Sequence, residues 1–175
     1  MGVYTADFPK SIISIFCAFI LFFMGGGLIF AQDSVKPRED LWVCPGAELA
    51  LFSVSNAAFG GGLTLGYGSG ASIGIKTAYY VDPSGKVATL ELIFLLRFYL
   101  LGTGSISGPY IQINGGPVFF AKDYSLSFPS EFGTISAGLS AGWRFLIGRN
   151  FFVEPVIRAG YPFIVGGGLY AGLHF

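Results

Sequence analysis

From Gly46 to Phe175, apolar residues recur at alternate positions in short runs. Gly, Pro, Asn, Asp and Ser interrupt these runs. A repeat of two places successive side chains on opposite faces of an extended strand. The pattern predicts eight strands, over Gly46–Ser55, Ala58–Tyr67, Ala71–Val81, Val87–Leu100, Gly108–Ala121, Phe132–Ile147, Asn150–Pro162 and Gly166–Phe175. The joints between them are short. Ser84-Gly85 and Gly148-Arg149-Asn150 read as tight turns, Gly102 to Ser107 as a further connection, and Lys122 to Glu131 as the longest loop.

The charges fall on one face of this pattern. Glu48 opposes Ala47, Leu49 and Leu51, and Lys76 opposes Ile73, Ile75 and Tyr79. Glu91 and Arg97 oppose Leu90, Leu92, Phe94, Leu96, Phe98 and Leu100, although Ile93 and Leu95 share their face. Arg144 opposes Ile135, Leu139, Trp143, Phe145 and Ile147. Glu154 and Arg158 oppose Phe151, Val153, Ile157 and Tyr161, and His174 opposes Phe175. The other charges after Gly46, namely Asp82, Lys86, Lys122, Asp123, Glu131 and Arg149, lie in connections. The charged face also carries Gly60, Gly62, Gly66, Gly138, Gly142, Gly168 and Gly172. A continuous apolar face suits lipid, and small residues with a few charges suit the interior of a narrow barrel. A water-soluble barrel has the reverse polarity. In hydrocarbon the sheet must also close, because an open edge would leave backbone groups unpaired.

Composition agrees with this reading. The chain is 53% hydrophobic and only 11% charged, against about 25% charged in ordinary soluble domains. Yet past the first 31 residues no apolar run is long enough for a membrane helix; the longest, Leu92 to Leu101, is broken by Arg97. With 27 glycines and 17% aromatics the chain favours strands and tight corners. Net charge is zero, which gives no basis for binding nucleic acid.

Residues 1–31 read as a signal peptide. An uncharged stretch from Ser11 to Phe30 follows Lys10 and precedes Ala31. A single anchoring helix is the alternative, weakened by Gly25 to Gly27. Residues 32–45 read as a periplasmic lead-in, and 46–175 as the barrel. Cys17 would leave with the signal peptide. Cys44 would remain as a single thiol, with no partner for an internal disulfide.

Together, the exported precursor, the amphipathic strands, the charged inner face and the terminal Phe175 resemble the small eight-stranded bacterial outer-membrane barrels of the OmpX, OmpA-barrel and OmpW kind. The resemblance implies an antiparallel, transmembrane up-and-down barrel in the outer membrane, surrounded by lipid and monomeric. It also implies an insertion signal on the last strand, formed by Leu169, Ala171, Leu173 and Phe175 and read by the barrel-insertion machinery. The chain departs from OmpX and OmpA in its short connections, and from OmpW in length and in its charged lumen.

The candidate site is the lumen. Glu48, Lys76, Glu91, Arg97, Arg144, Glu154 and Arg158 face inward, and a buried ion must be paired or solvated. The near balance of sign predicts an ion-pair network that fills the barrel, with the inward glycines leaving unfilled space. Aromatics near strand ends, including Trp42, Tyr67, Tyr79, Tyr80, Phe119, Phe120, Phe151, Phe152, Tyr161 and Phe175, are expected to form interfacial girdles. Catalysis is not expected. His174 is the one histidine and sits at a strand end, away from any Ser/Asp partnership. No Cys/His/Asp spacing fits a metal, no cofactor is expected, and Gly60-Gly61-Gly62 lacks the Lys-Ser/Thr of a phosphate loop. The expected role is structural or at the cell surface. The alternatives are a narrow channel for a small solute and a soluble periplasmic ligand-binding barrel.

Overall fold

In the computed structural model, residues 41–53, 56–83, 87–101, 106–122 and 132–175 are described. The expected signal peptide, the lead-in up to Asp40, the Ser84-Gly85 turn and most of the Lys122–Glu131 loop lie outside these residues. The strands are β1 Leu41–Ser53, β2 Asn56–Tyr67, β3 Ala71–Val81, β4 Val87–Tyr99, β5 Gly108–Lys122, β6 Phe132–Ile147, β7 Phe151–Tyr161 and β8 Val165–His174. Each pairs antiparallel with its sequence neighbours. β1 also pairs with β8, from Trp42↔His174 to Leu51↔Val165, which closes the barrel. The shortest strand has 10 residues, enough for a tilted strand to cross a bilayer core.

One boundary needs correction. Residues 41–45, assigned above to the lead-in, belong to β1. Pro45 reads as punctuation because it has no N–H. Here it pairs with Leu63 on the β2 side, while the β1–β8 register is interrupted at Cys44 and Pro45, so the missing donor falls where the ladder is already broken. Apart from this start, the strand boundaries lie within two residues of the alternation pattern. At the β6–β7 turn, Gly148 adopts a φ of 72°, which favours a residue without Cβ.

The faces are sharply divided. Leu49, Ile75, Phe94, Leu96, Ile113, Leu139 and Leu169 point outward and are exposed, while Glu48, Lys76, Glu91, Arg97, Arg144 and Glu154 are buried inside. This is the inverse of a water-soluble barrel, so the soluble ligand-binding alternative has no support in the exterior. The core is the lumen itself. We call the end holding Leu41 and His174 the lower end, and the end holding the β1–β2 and β7–β8 connections the upper.

The expectation of unfilled space holds only in part: Gly138 and Gly160 line a small cavity, whereas five other glycines are covered by rings. Trp42 faces Gly66, Tyr80 faces Gly60, Tyr170 faces Gly46, Tyr110 faces Gly142 and Phe152 faces Gly172, each pair directly opposed across neighbouring strands. A Cβ at any of these glycines would overlap the ring facing it. Each ring therefore lies flat against its neighbouring strand, an aromatic covering of a glycine that also pins the register. We expect Gly66→Ala to destabilise the barrel by about 1–3 kcal/mol, as overpacking does. Gly61→Ala should be close to neutral, because a Cβ on that outward glycine meets only Gly46 O at 3.5 Å. Urea unfolding in lipid vesicles measures the difference, and equal effects would refute the packing account.

Candidate functional site

The side chains inside the barrel form two ionic clusters stacked along its axis. In the upper cluster Glu48 accepts from Lys76 Nζ at 2.5 Å and from the hydroxyls of Tyr80 and Tyr170. Arg158 holds Glu91 with two bonds, Nη1 to Oε2 at 2.8 Å and Nη2 to Oε1 at 2.9 Å. Its Nη1 also lies 3.4 Å from Glu48 Oε2 and donates to Tyr80 Oη at 3.1 Å. One planar guanidinium therefore ties two carboxylates together, a geometry available to Arg and not to Lys. Above this cluster, Phe163 from the β7–β8 connection packs on Tyr80, Ala50, Ala58 and Ala78. Its ring lies 4.4 Å from the Arg158 Cζ.

The lower cluster centres on Glu154. Its Oε1 accepts from Arg97 Nη1 at 2.7 Å and from Arg144 Nε. Both guanidinium groups pack on Trp42, with Cζ 4.6 Å and 4.4 Å from the ring centroid. Arg97 also lies 3.9 Å from the Tyr110 ring, and Arg144 lies 3.9 Å from Phe152. Desolvated cation–π contacts of this kind contribute about 2 kcal/mol each and help two cations share one carboxylate. Arg144 Nη1 lies 3.2 Å from His174 Nε2. A guanidinium can only donate, so this imidazole nitrogen is the acceptor.

The structure thus brings all seven inward charges named from the sequence into contact. Glu48, Lys76, Glu91 and Arg158 meet in the upper cluster, and Arg97, Arg144 and Glu154 in the lower. In β8, Leu169, Leu173 and the adjoining Phe175 are exposed on the outer face, and Ala171 is half-buried between them.

Sequence reasoning missed the rings and amides that complete the lumen. Trp42, Tyr80 and Phe152, expected in the girdles, are fully buried inside. Their alternation shows why, since Tyr80 shares its face with Lys76, and Phe152 with Glu154. Tyr67, Phe151, Tyr161 and Phe175 do point outward near strand ends. The fifth strand as read from the sequence, Gly108–Ala121, carries no charge to mark its inner face, so Gln112 and Asn114 had no charge to point to them. The signal available was the outward pair Ile111 and Ile113. Arg97 Nε donates to Gln112 Oε1 at 3.0 Å, Gln112 Nε2 to Asn114 Oδ1 at 2.5 Å, and Asn114 Nδ2 to Ser140 Oγ at 2.6 Å. The arrangement can screen and pair charge. Each of its three carboxylates is held by two or more donated hydrogen bonds.

No protein-family model matches the sequence, and no curated protein sequence matches it. Solved structures do match the fold. Neisserial surface protein A (NspA) superposes with a TM-score of 0.60 at 16% identity, over 77% of this chain and 95% of that one. The N-terminal β-barrel domain of Pseudomonas aeruginosa OprF gives 0.51 at 16% identity, over 79% and 98%. The Yersinia pestis outer membrane protein Ail, determined in a phospholipid bilayer nanodisc, gives 0.50 at 12% identity, over 79% and 100%. The chain therefore has the fold of small eight-stranded transmembrane barrels.

Proposed function

We propose that this protein is an integral barrel of the bacterial outer membrane, with a structural or surface role, a plugged lumen and no catalytic activity. The observation that carries the reading is the state of the lumen. Each inward charge named from the sequence is engaged in an ion pair, and aromatic rings cover five of the glycines. An eight-stranded barrel has an interior just wide enough for side chains, and here those side chains bridge opposite walls. The apolar exterior suits lipid on every strand, and nothing in the reading requires a second subunit.

Conductance tests the plug. The refolded protein in a planar bilayer is expected to conduct poorly or intermittently. Arg158→Gln, which removes the tie between Glu48 and Glu91, should raise the open probability. A large, steady conductance from the unaltered protein would overturn the plug and favour a narrow channel for small solutes. We also propose that the outward side chains of β8, Leu169, Ala171, Leu173 and Phe175, are what the insertion machinery reads. Their apolar display on a strand that must pair last with β1 supports this. Changing Leu173 and Phe175 to Ser should slow assembly in cells far more than unassisted refolding in detergent; equal slowing in both would overturn it.

A further inference from the structure

Among the described residues the lumen holds four basic side chains, Lys76, Arg97, Arg144 and Arg158, against three carboxylates, Glu48, Glu91 and Glu154. The upper cluster is balanced at two of each. The excess charge lies in the lower cluster, where Arg97 and Arg144 share Glu154. That cluster is also short of acceptors, because Trp42 Nε1 and Arg144 Nη2 are buried with no hydrogen-bond partner. An uncompensated charge inside a narrow barrel wrapped in lipid is costly. The interior therefore calls for one more negative charge than the described side chains supply.

There is space for it between the clusters. A cavity of about 40 Å³ is lined by Lys76, Arg97, Glu154, Asn114, Ser136 and Ser140, among others. It holds a few waters or one small ion. Its polar walls are rich in donors. Lys76 Nζ has three protons and one acceptor, Glu48 Oε1, which leaves two for an occupant. The bonds from Arg97 through Gln112 and Asn114 to Ser140 all donate in one direction. Such a chain is polarised along its length and leaves the Ser140 hydroxyl proton to be donated onward. The two carboxylates on the wall are already engaged, Glu154 by two guanidinium groups and Glu48 by an ammonium and two hydroxyls.

We propose that this cavity binds one small monovalent anion of halide size, held by Lys76 and Ser140 and neutralising the excess charge beside Arg97. A cation would enlarge the imbalance, and a divalent anion would reverse it. The inference concerns binding and is independent of whether the lumen conducts.

The test uses the whole refolded chain with bromide as the probe. Crystals grown in bromide are expected to show one anomalous peak in the lumen, in contact with Lys76 Nζ and Ser140 Oγ. In solution, the unfolding temperature should rise with chloride and saturate as a one-site isotherm when chloride replaces gluconate at constant ionic strength. Lys76→Met balances the lumen at three charges of each sign, so it should lose both the peak and the saturating rise. If Lys76→Met fails to fold, Ser140→Ala should weaken the chloride response while leaving the ion pairs in place. A lumen with no bromide peak, or a chloride response unchanged in the variants, would overturn the proposal. It would show that Lys76 is neutral or that only water fills the space.

Discussion

Glu154→Gln is expected to destabilise the barrel by about 3–5 kcal/mol, the usual consequence of removing one partner from a buried ionic group. The amide keeps the shape of the side chain but removes its charge. Arg97 and Arg144 would then lie near each other against Trp42 with no carboxylate between them. Both side chains are almost completely buried, at 4% and 0% exposure, so water cannot take over the role. The cation–π contacts would remain, and they are too weak to offset the loss. Unfolding in urea from lipid vesicles, with folded and unfolded forms separated by gel mobility without boiling, measures the change. Adding Arg144→Met to Glu154→Gln should recover part of the stability by removing one unpaired cation. A single variant as stable as the parent would show that solvent reaches the lower cluster and that the lumen is not plugged there.

Phe94→Arg is expected to block insertion. Phe94 lies near the middle of β4, points outward and is 59% exposed. An Arg on the lipid face near the midplane costs about 2–4 kcal/mol, and it meets that cost before any lumen contact forms. Arg97→Leu, three residues away on the inner face, should behave differently. It should insert, because its outer surface is unchanged, and then unfold more readily, because Glu154 and Gln112 lose a partner. Insertion yield into liposomes and urea stability of the inserted fraction separate the two effects. Equal insertion defects in both variants would mean that the β4 register is wrong.

These two residues also show what could be read without a structure. Whether a side chain faces lipid or lumen depends on the parity of its position in a strand. Parity is local, because every barrel strand has the same two environments on its two sides whatever its neighbours are. Phe94 and Arg97 therefore declare their faces in the sequence, and so do the seven lumen charges. Pro45 misled the reading because a residue without a donor normally ends a strand, and only the pairing of both neighbours shows where that donor is not needed. Trp42, Tyr80 and Phe152 lie in the lumen and not in a girdle because an aromatic near a strand end suits either place, and parity, not position along the strand, decides between them.

The identities of the partners were decided by the closed barrel alone. Glu154 meets Arg97 across 57 residues of chain, and Tyr170 meets Glu48 across 122. These pairings depend on the stagger with which eight strands close on themselves, a property of the whole ring that no single strand encodes. The register between neighbouring strands sets five glycines beneath rings, while Gly138 and Gly160 line the cavity that remains. The sequence alone determined two faces and the charges on the inner one. The tertiary structure divided those charges into a balanced upper cluster and a lower one carrying an extra cation, because only closure decides which of them lie within reach of each other.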